Sequence, residues 1–455
     1  MKARPLRATA AGGLPPVALP IAPADQRMLD QLQRSAFDYF LKQTSPRTGL
    51  VADTSRPNAP ASIAVVGFAL SAYPVAVERG WISRCGAVQR CLITLRFFNE
   101  SDQSGAVAST GCHGFYFHFL ELETGRRAWQ SELSSIDTAL LIVGMLTAAA
   151  YFSGTTPDEA ELRQLANALY DRVDWQWAQI GNSDDDDAVA LGWKPESGFL
   201  NYGWQGYNEA LVLYALGMGS STHPLTAASF EAWTVTYQWE NLYGIDLLYA
   251  GPLFVHEFSH AWIDFRGIRD RFMREKDCDY FENTRRAVQV QRQYAIRNPR
   301  CFAGYGQDCW GLSAGDGPSV ESRTVAGRRQ AFYGYAARGA PWGPDDGTIT
   351  GSSVVAALVF APEIAWPALR LMFGRADASP GRCVQASGFN DSAGAPGTDV
   401  GKVGWISEGE FGLDQGMIVL MIENLRSGLL WRLTRGIPCL RAGLKRAGFG
   451  GGWLS

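Results

Sequence analysis

From Asp25 onward the chain offers one helical pattern after another, and no stretch alternates long enough to demand a large sheet. The segment QRMLDQLQRSAFDYFL puts Met28, Leu29, Leu32 and Phe37 on one side of a helix. Further helices are predicted over Ile63–Val77, Ser83–Phe98, Ser134–Phe152 and Thr156–Trp177. They continue with the stretch ending at Leu216, then Pro252–Phe265, Phe281–Ile296, Gly351–Phe360, Glu363–Phe373 and Asp414–Leu430. Two starts are explicit: Ser134 as a cap, and Thr156-Pro157-Asp158-Glu159 as cap, first-turn proline and acids. The most apolar run, Ala139–Phe152, is too short to span a bilayer and carries Gly144 and Thr147, so it reads as a core helix. Gly111–Glu123 is the exception: its alternation predicts a strand or extended loop that places His113, Tyr116 and His118 close together. About a dozen helices without a linker or a short repeat predict an all-α toroid or solenoid, one domain over residues 25–455. Residues 1–24 are rich in Ala, Pro and Arg. Prolines break every apolar stretch there, so the segment fails as a signal peptide as written and is expected to be disordered or processed.

Composition removes several function classes. The formal net charge is −4 and no long Lys/Arg run occurs, which excludes the concentrated basic surface that nucleic acid requires. Neither a nucleophile elbow, a phosphate-binding loop nor a dinucleotide fingerprint is present. Fifteen Trp and 50 Gly suit an enzyme with a cleft better than a simple bundle. The eight cysteines include no CxxC pair; Cys301 and Cys309 flank a glycine-rich loop and are candidates for a disulfide, with buried thiols as the alternative. Asp184–Asp187 reads as a solvated acidic loop, with calcium binding as its alternative.

Chemistry concentrates in YGWQGYNEALVLYAL, Tyr202–Leu216, where Trp204, Tyr207 and Glu209 precede an apolar helix. Sugars are held by stacking on aromatic faces, and glycosidic bonds are broken by carboxyl groups. The plainer reading is an acid that merely favours a positive helix end. Asp137 and Asp414 stand at comparable helix starts, with Glu132, Glu408 and Glu410 among the other acids near aromatics or glycine. If the helices point the same way, these acids gather at one rim, and Trp204, Tyr207, Trp310, Trp342 and Trp405 line a cleft above them. A rival motif is His256-Glu257-Phe258-Ser259-His260, which satisfies HExxH for zinc with Glu257 as base. It lacks an evident third ligand, since Asp264 lies about 12 Å along the helix axis from His256. Glu282 is at a plausible sequence distance but has no metallopeptidase context.

Five ordered blocks carry a resemblance. They are HGFYFHFLELETGRRAWQSELSSIDTALLIVGML (His113–Leu146), GWKPESGFLNYGWQGYNEALVLYAL (Gly192–Leu216), GPLFVHEFSHAWIDFRG (Gly251–Gly267), WGLSAGDGP (Trp310–Pro318) and LDQGMIVLMIENLRSGLLW (Leu413–Trp431). Together they resemble the glycoamylase-like family, which includes the endo-β-1,2-glucanases of glycoside hydrolase family 144. The resemblance implies an (α/α)6 toroid with long loops on one rim. It implies endo-hydrolysis of β-1,2-glucan to sophoro-oligosaccharides, with inversion and without metal or other cofactor. Glu209 matches the family acid of the Gly-Tyr-x-Glu block and is the expected general acid, with Asp414 or Asp137 on the water side. Inversion sets the carboxyl groups about 6.5–9.5 Å apart, or further if a sugar hydroxyl relays the proton. His113, His118, Glu132, Trp204, Tyr207, His260 and Trp310 are expected to shape the sugar subsites. The expected partner is an oligo- or polysaccharide, met by a monomer without membrane contact. The resemblance places the protein in the periplasm or outside the cell, or in the cytoplasm if the N-terminus as given is complete. A zinc metallopeptidase and a non-catalytic glucan-binding relative are the alternatives.

Overall fold

The computed structural model describes residues 21–180, 187–325, 327–373, 382–385 and 405–455. Residues 1–20 of the N-terminal segment, and Asp184 to Asp186 of the acidic loop, lie outside them.

Six helices pack in a closed cycle. Ile63–Glu78 lies between Ser135–Tyr151 and Gly412–Arg426; Ser135–Tyr151 packs on Leu211–Gly219; Leu253–Glu257 packs on Gly351–Ala357, and that helix on Gly412–Arg426. The remaining step, from Leu211–Gly219 to Leu253–Glu257, is closed by Ser259, which bonds the backbone at Glu209 and Val212. Helices in this ring are apolar on all sides: every residue from Ser135 to Ala149, and all nine of Leu211–Gly219, is buried. A helix without a polar face has to be surrounded by protein, and a second layer does so. Arg84–Glu100 and Pro157–Arg172 pack together outside Ser135–Tyr151; Pro438–Arg446 covers Leu211–Gly219; Tyr280–Arg297 covers Leu253–Glu257; Pro362–Phe373 covers Gly351–Ala357; Pro23–Lys42 covers Gly412–Arg426. One apolar cluster runs from Met28 to Leu454.

The all-α expectation needs correction. The fold is mainly helical, with fifteen α-helices among the described residues, but short strands tie its loops together. Gly111–Cys112, Phe115–Phe117, Leu133–Ser134, Gly192–Lys194 and Gly198–Phe199 form a five-stranded antiparallel sheet in that order. Five further strand pairs decorate other loops. Strands of two to five residues are too short for alternation to reveal; they satisfy the backbone of loops packed over the ring. The predicted helix from Pro252 to Phe265 also breaks, passing from α-helix at Glu257 to a 3₁₀ turn over Phe258–Ala261. Cys301 is exposed and Cys309 buried, and the candidate disulfide between them does not form. No helix among the described residues is long and apolar enough to cross a membrane.

Helices that carry no polar face can approach closely where glycine allows. A Cβ on Gly144 would lie 2.2 Å from the Gly67 carbonyl oxygen, and one on Gly67 would lie 2.1 Å from that of Leu140. The two ring helices therefore cross with backbones in contact, which fixes the depth at which Asp137 emerges. Gly144→Ala must push this crossing apart, at a cost of about 1–3 kcal/mol. A lowered urea midpoint with unchanged slope is the expected reading.

Candidate active site

The starts of the ring helices meet at one mouth. The Ile63 N–H donates to the His118 carbonyl, and that of Gly412 to the Asp53 carbonyl, at 3.2 and 2.8 Å. Across the seam between neighbouring helices the Ser352 hydroxyl donates to Asp414 at 2.5 Å. Each start lends partial positive charge from unpaired N–H groups. Acids consequently collect here.

Asp137 sits in the first turn of Ser135–Tyr151, where Ser134 both caps the helix and donates to its carboxylate. His118 Nδ1 lies 2.9 Å from Glu132 and 3.6 Å from Asp137. Burial alone would push this imidazole down, but Asp137, Glu132 and Asp53 together outweigh it and raise His118 to about 9. It is a cation among carboxylates. Its hydrogen bond holds Glu132 below the usual carboxylate range.

The other acids behave differently. Burial, aided by the charge of Asp137 and opposed by a hydrogen bond from its own N–H, pushes Glu209 to about 7. Burial likewise lifts Asp414 to about 7, with the Ser352 hydrogen bond pulling it down and Asp53 pushing it up. Asp53 is raised to about 6 by burial, with His118 opposing and Asp137 assisting. The electrostatic neighbours thus run Glu209, Asp137, Asp53, Asp414, and on to Glu257, whose acidity is suppressed by burial and by Asp414. Asp414, Glu257, Ser352 and Ser353 line a narrow cleft with Phe411 and Tyr335.

Of the residues singled out in the sequence, His118, Glu132 and Asp137 meet directly, Glu209 adjoins them through Asp137, and Asp414 through Asp53. Trp204 flanks them, its indole N–H donating to Ser135 at 2.8 Å. The others do not join. His113 stacks on Trp177 with ring centroids 4.5 Å apart and faces Asp174, while Tyr116 between the two histidines is buried. Tyr207 packs inward against Tyr237, His256 and Tyr280. Trp310 is only 1% exposed and belongs to the core. His260 is buried among Phe265, Phe281 and Phe360 with Thr284 on its Nε2, whereas His256 directs its Nε2 to the Ala250 carbonyl. Two imidazoles committed to different partners do not form a zinc face. Asp264 is taken up by Arg266 and Arg435, and Glu282 by Arg286.

Sequence reasoning missed Asp53, which starts no helix: its place comes from the bridge between Thr54 and Phe411. It also missed the aromatic rim. Trp129 is 70% exposed, held in a left-handed backbone conformation (φ 55°), and packs on Phe119, which itself stacks on His118. Tyr335, 61% exposed, packs on Phe411 at the Asp414 end. Trp342, which the sequence did single out for a cleft wall, is equally exposed, beside Tyr249.

Residues 201–438 match the family Glycoamylase, described as "Putative glucoamylase". The chain belongs to the Glycoamylase family. Within that relationship it is 25% identical to an exo β-1,2-glucooligosaccharide sophorohydrolase (non-reducing end) of Parabacteroides distasonis, over 93% of this chain. The chain spans 58% of the length of that curated relative. A Bacteroides uniformis protein described as a "putative glucoamylase" is 27% identical, with a TM-score of 0.79 over 95% of this chain and 99% of that one. The endo-β-1,2-glucanase of Chitinophaga pinensis, solved with sophorotriose and glucose, is 26% identical, with a TM-score of 0.78 over 95% and 100%.

Two consequences for stability follow from the titrations. Glu257 takes its proton more readily folded than unfolded, so its contribution is lost as pH rises above the ordinary glutamate range. Glu257→Gln should melt higher than wild type, with a margin growing by about 1.4 kcal/mol per pH unit through that window. His118 runs with its pKa raised above its unfolded value as well. Its contribution is full below about 6.5 and disappears as pH rises through about 9. The melting deficit of His118→Gln should follow that course.

Proposed function

We propose that this protein is a glycoside hydrolase that cleaves linear β-1,2-glucan within the chain, giving sophoro-oligosaccharides with inversion, on an (α/α)6 toroid. The observation that carries the reading is the acid row at the mouth: a carboxyl that keeps its proton near neutrality beside one paired with an imidazolium. Family membership and the names of the relatives supply the substrate class. Exposed aromatics near both ends of the row, Trp129 and Tyr335, support binding of sugar on each side of the cleaved bond.

In this mechanism the Glu209 carboxyl gives its proton to the glycosidic oxygen as the C–O bond breaks. A water attacks the anomeric carbon from the other face and passes its proton to a carboxylate, Asp414 or Asp137. Asp414 is favoured because it lines the open cleft with a hydroxyl donor on one oxygen. Asp137 meets both the Ser134 hydroxyl and the His118 imidazole on one oxygen, Oδ2. His118, Glu132, Trp204 and Trp129 orient the sugar, and no step uses a metal.

Incubation of wild type and Glu209→Gln with linear β-1,2-glucan tests the reading. The variant should release reducing ends roughly 10²–10⁴-fold more slowly. Rates for the wild type should fall as pH rises through about 7, where Glu209 loses its proton. Asp414 as base places the acid limb close to the same value and makes the optimum narrow; a broad plateau into acid would remove Asp414 from that role. The first-formed anomer, read by NMR, reports inversion, and mixed product lengths report endo action. Equal product from both proteins would remove Glu209 from the chemistry. Loss of activity to a chelator would favour a zinc enzyme, and binding without release a glucan-binding protein.

A further inference from the structure

The segment His256–His260 is buried at the ring and has no part in the mechanism above. One of its side chains nevertheless reaches the general acid. The Ser259 hydroxyl, 3% exposed as a residue, donates to the Glu209 carbonyl at 2.8 Å and accepts from the Val212 N–H at 3.2 Å. The helix Leu211–Gly219 has no side-chain cap of its own at Ala210, and every one of its residues is buried. An uncapped helix start in such surroundings leaves N–H groups that water cannot reach. Ser259 supplies the missing cap from a different helix.

We infer that Ser259 is a positioning residue for catalysis: by holding the Glu209 carbonyl and the Val212 N–H together at the start of Leu211–Gly219, it fixes the direction in which the Glu209 carboxyl points. The inference rests on the reading of Glu209 as general acid. Two observations join the clamp to the acid. Glu209 immediately precedes the helix, so its backbone has no helical hydrogen-bond ladder of its own to hold it. Its own N–H also lowers the proton affinity of the carboxyl, and that N–H and the clamped carbonyl flank the same α-carbon, so turning about the bonds at that carbon moves the carboxyl relative to both. The titratable group that faces Glu209 from the neighbouring helix is Asp137. In the Ser259 segment, His256 turns to Ala250, His260 to Thr284, and Glu257 to the Asp414 cleft. Val212 and the rest of that helix add no charge.

The test compares Ser259→Ala and Ser259→Cys with wild type and Glu209→Gln on β-1,2-glucan, with circular dichroism and melting as controls. Expected is a folded Ser259→Ala whose kcat falls roughly 10–100-fold with KM within about threefold, and whose alkaline limb moves upward as the N–H bond to the carboxylate loosens. Ser259→Cys, which keeps the shape and a weak donor, should fall between. Wild-type kcat and an unmoved limb in Ser259→Ala, beside an inactive Glu209→Gln, would overturn the inference alone. A loss that merely tracks the folded fraction, with the limb unchanged, would overturn it also. An active Glu209→Gln would remove the reading of Glu209 and the inference together. If Ser259→Ala does not fold, the limb of Ser259→Cys decides by the same criterion.

Discussion

Carboxyl groups removed from water must either keep a proton or find a compensating charge, and the mouth of this ring forces the choice on several at once. Helix starts gather there because the ring helices share a direction, and their unpaired N–H groups favour acids. A helix dipole contributes at most about 2 kcal/mol, less than the cost of desolvating an unpaired carboxylate. The remainder is settled by one imidazolium. His118 lies 2.9 Å from Glu132 and 3.6 Å from Asp137 and holds Glu132 below the usual carboxylate range; burial raises Glu209, Asp414 and Glu257 instead. Which of these carboxyls is paired with a charge and which is left to burial therefore depends on where a single side chain sits.

That division explains why the acids were legible and their partners were not. Glu209, Asp137 and Asp414 stood out because each precedes or opens an apolar helix, a local pattern that survives folding. Asp53 opens nothing: it is brought in by strand-like bridges to Phe411, a contact between residues over 350 apart in sequence. The aromatics failed for a related reason. Proximity in sequence to Glu209 made Tyr207 look like cleft wall, yet at the turn before a helix two residues shift the side chain from the mouth to the core, where it meets Tyr280. Trp310 has the composition of a sugar platform and the surroundings of a core residue. Trp129, exposed where Trp310 is not, was passed over because its exposure depends on a left-handed backbone that its neighbours give no sign of.

The helical architecture was readable from period alone, while the strands were not, since they are shorter than the window in which alternation can be measured. They matter nonetheless. Leu133–Ser134 pairs with Phe117 and Tyr116 on one side and with Trp193 and Gly192 on the other, so the residue that caps Asp137's helix is held from both edges. His118 follows directly on one of those strands, which fixes the imidazole against the carboxylate it serves.

The HExxH motif shows how a pattern can be real and its usual meaning wrong. Zinc binding needs two imidazoles one α-helical turn apart with free nitrogens on a common face. Here the helix tightens to 3₁₀ at Phe258, which rotates His260 away from His256, and each ring nitrogen that bonds does so to a separate partner. What survives is the scaffold value of the segment. Its two histidines lock it against Tyr280–Arg297, its glutamate borders the Asp414 cleft, and its serine closes the one step of the ring that no helix-to-helix packing completes. The serine, bonded to the Glu209 carbonyl, and the glutamate, which lines the cleft with Asp414, stand at the two ends of the acid row, so the segment ties those ends to each other.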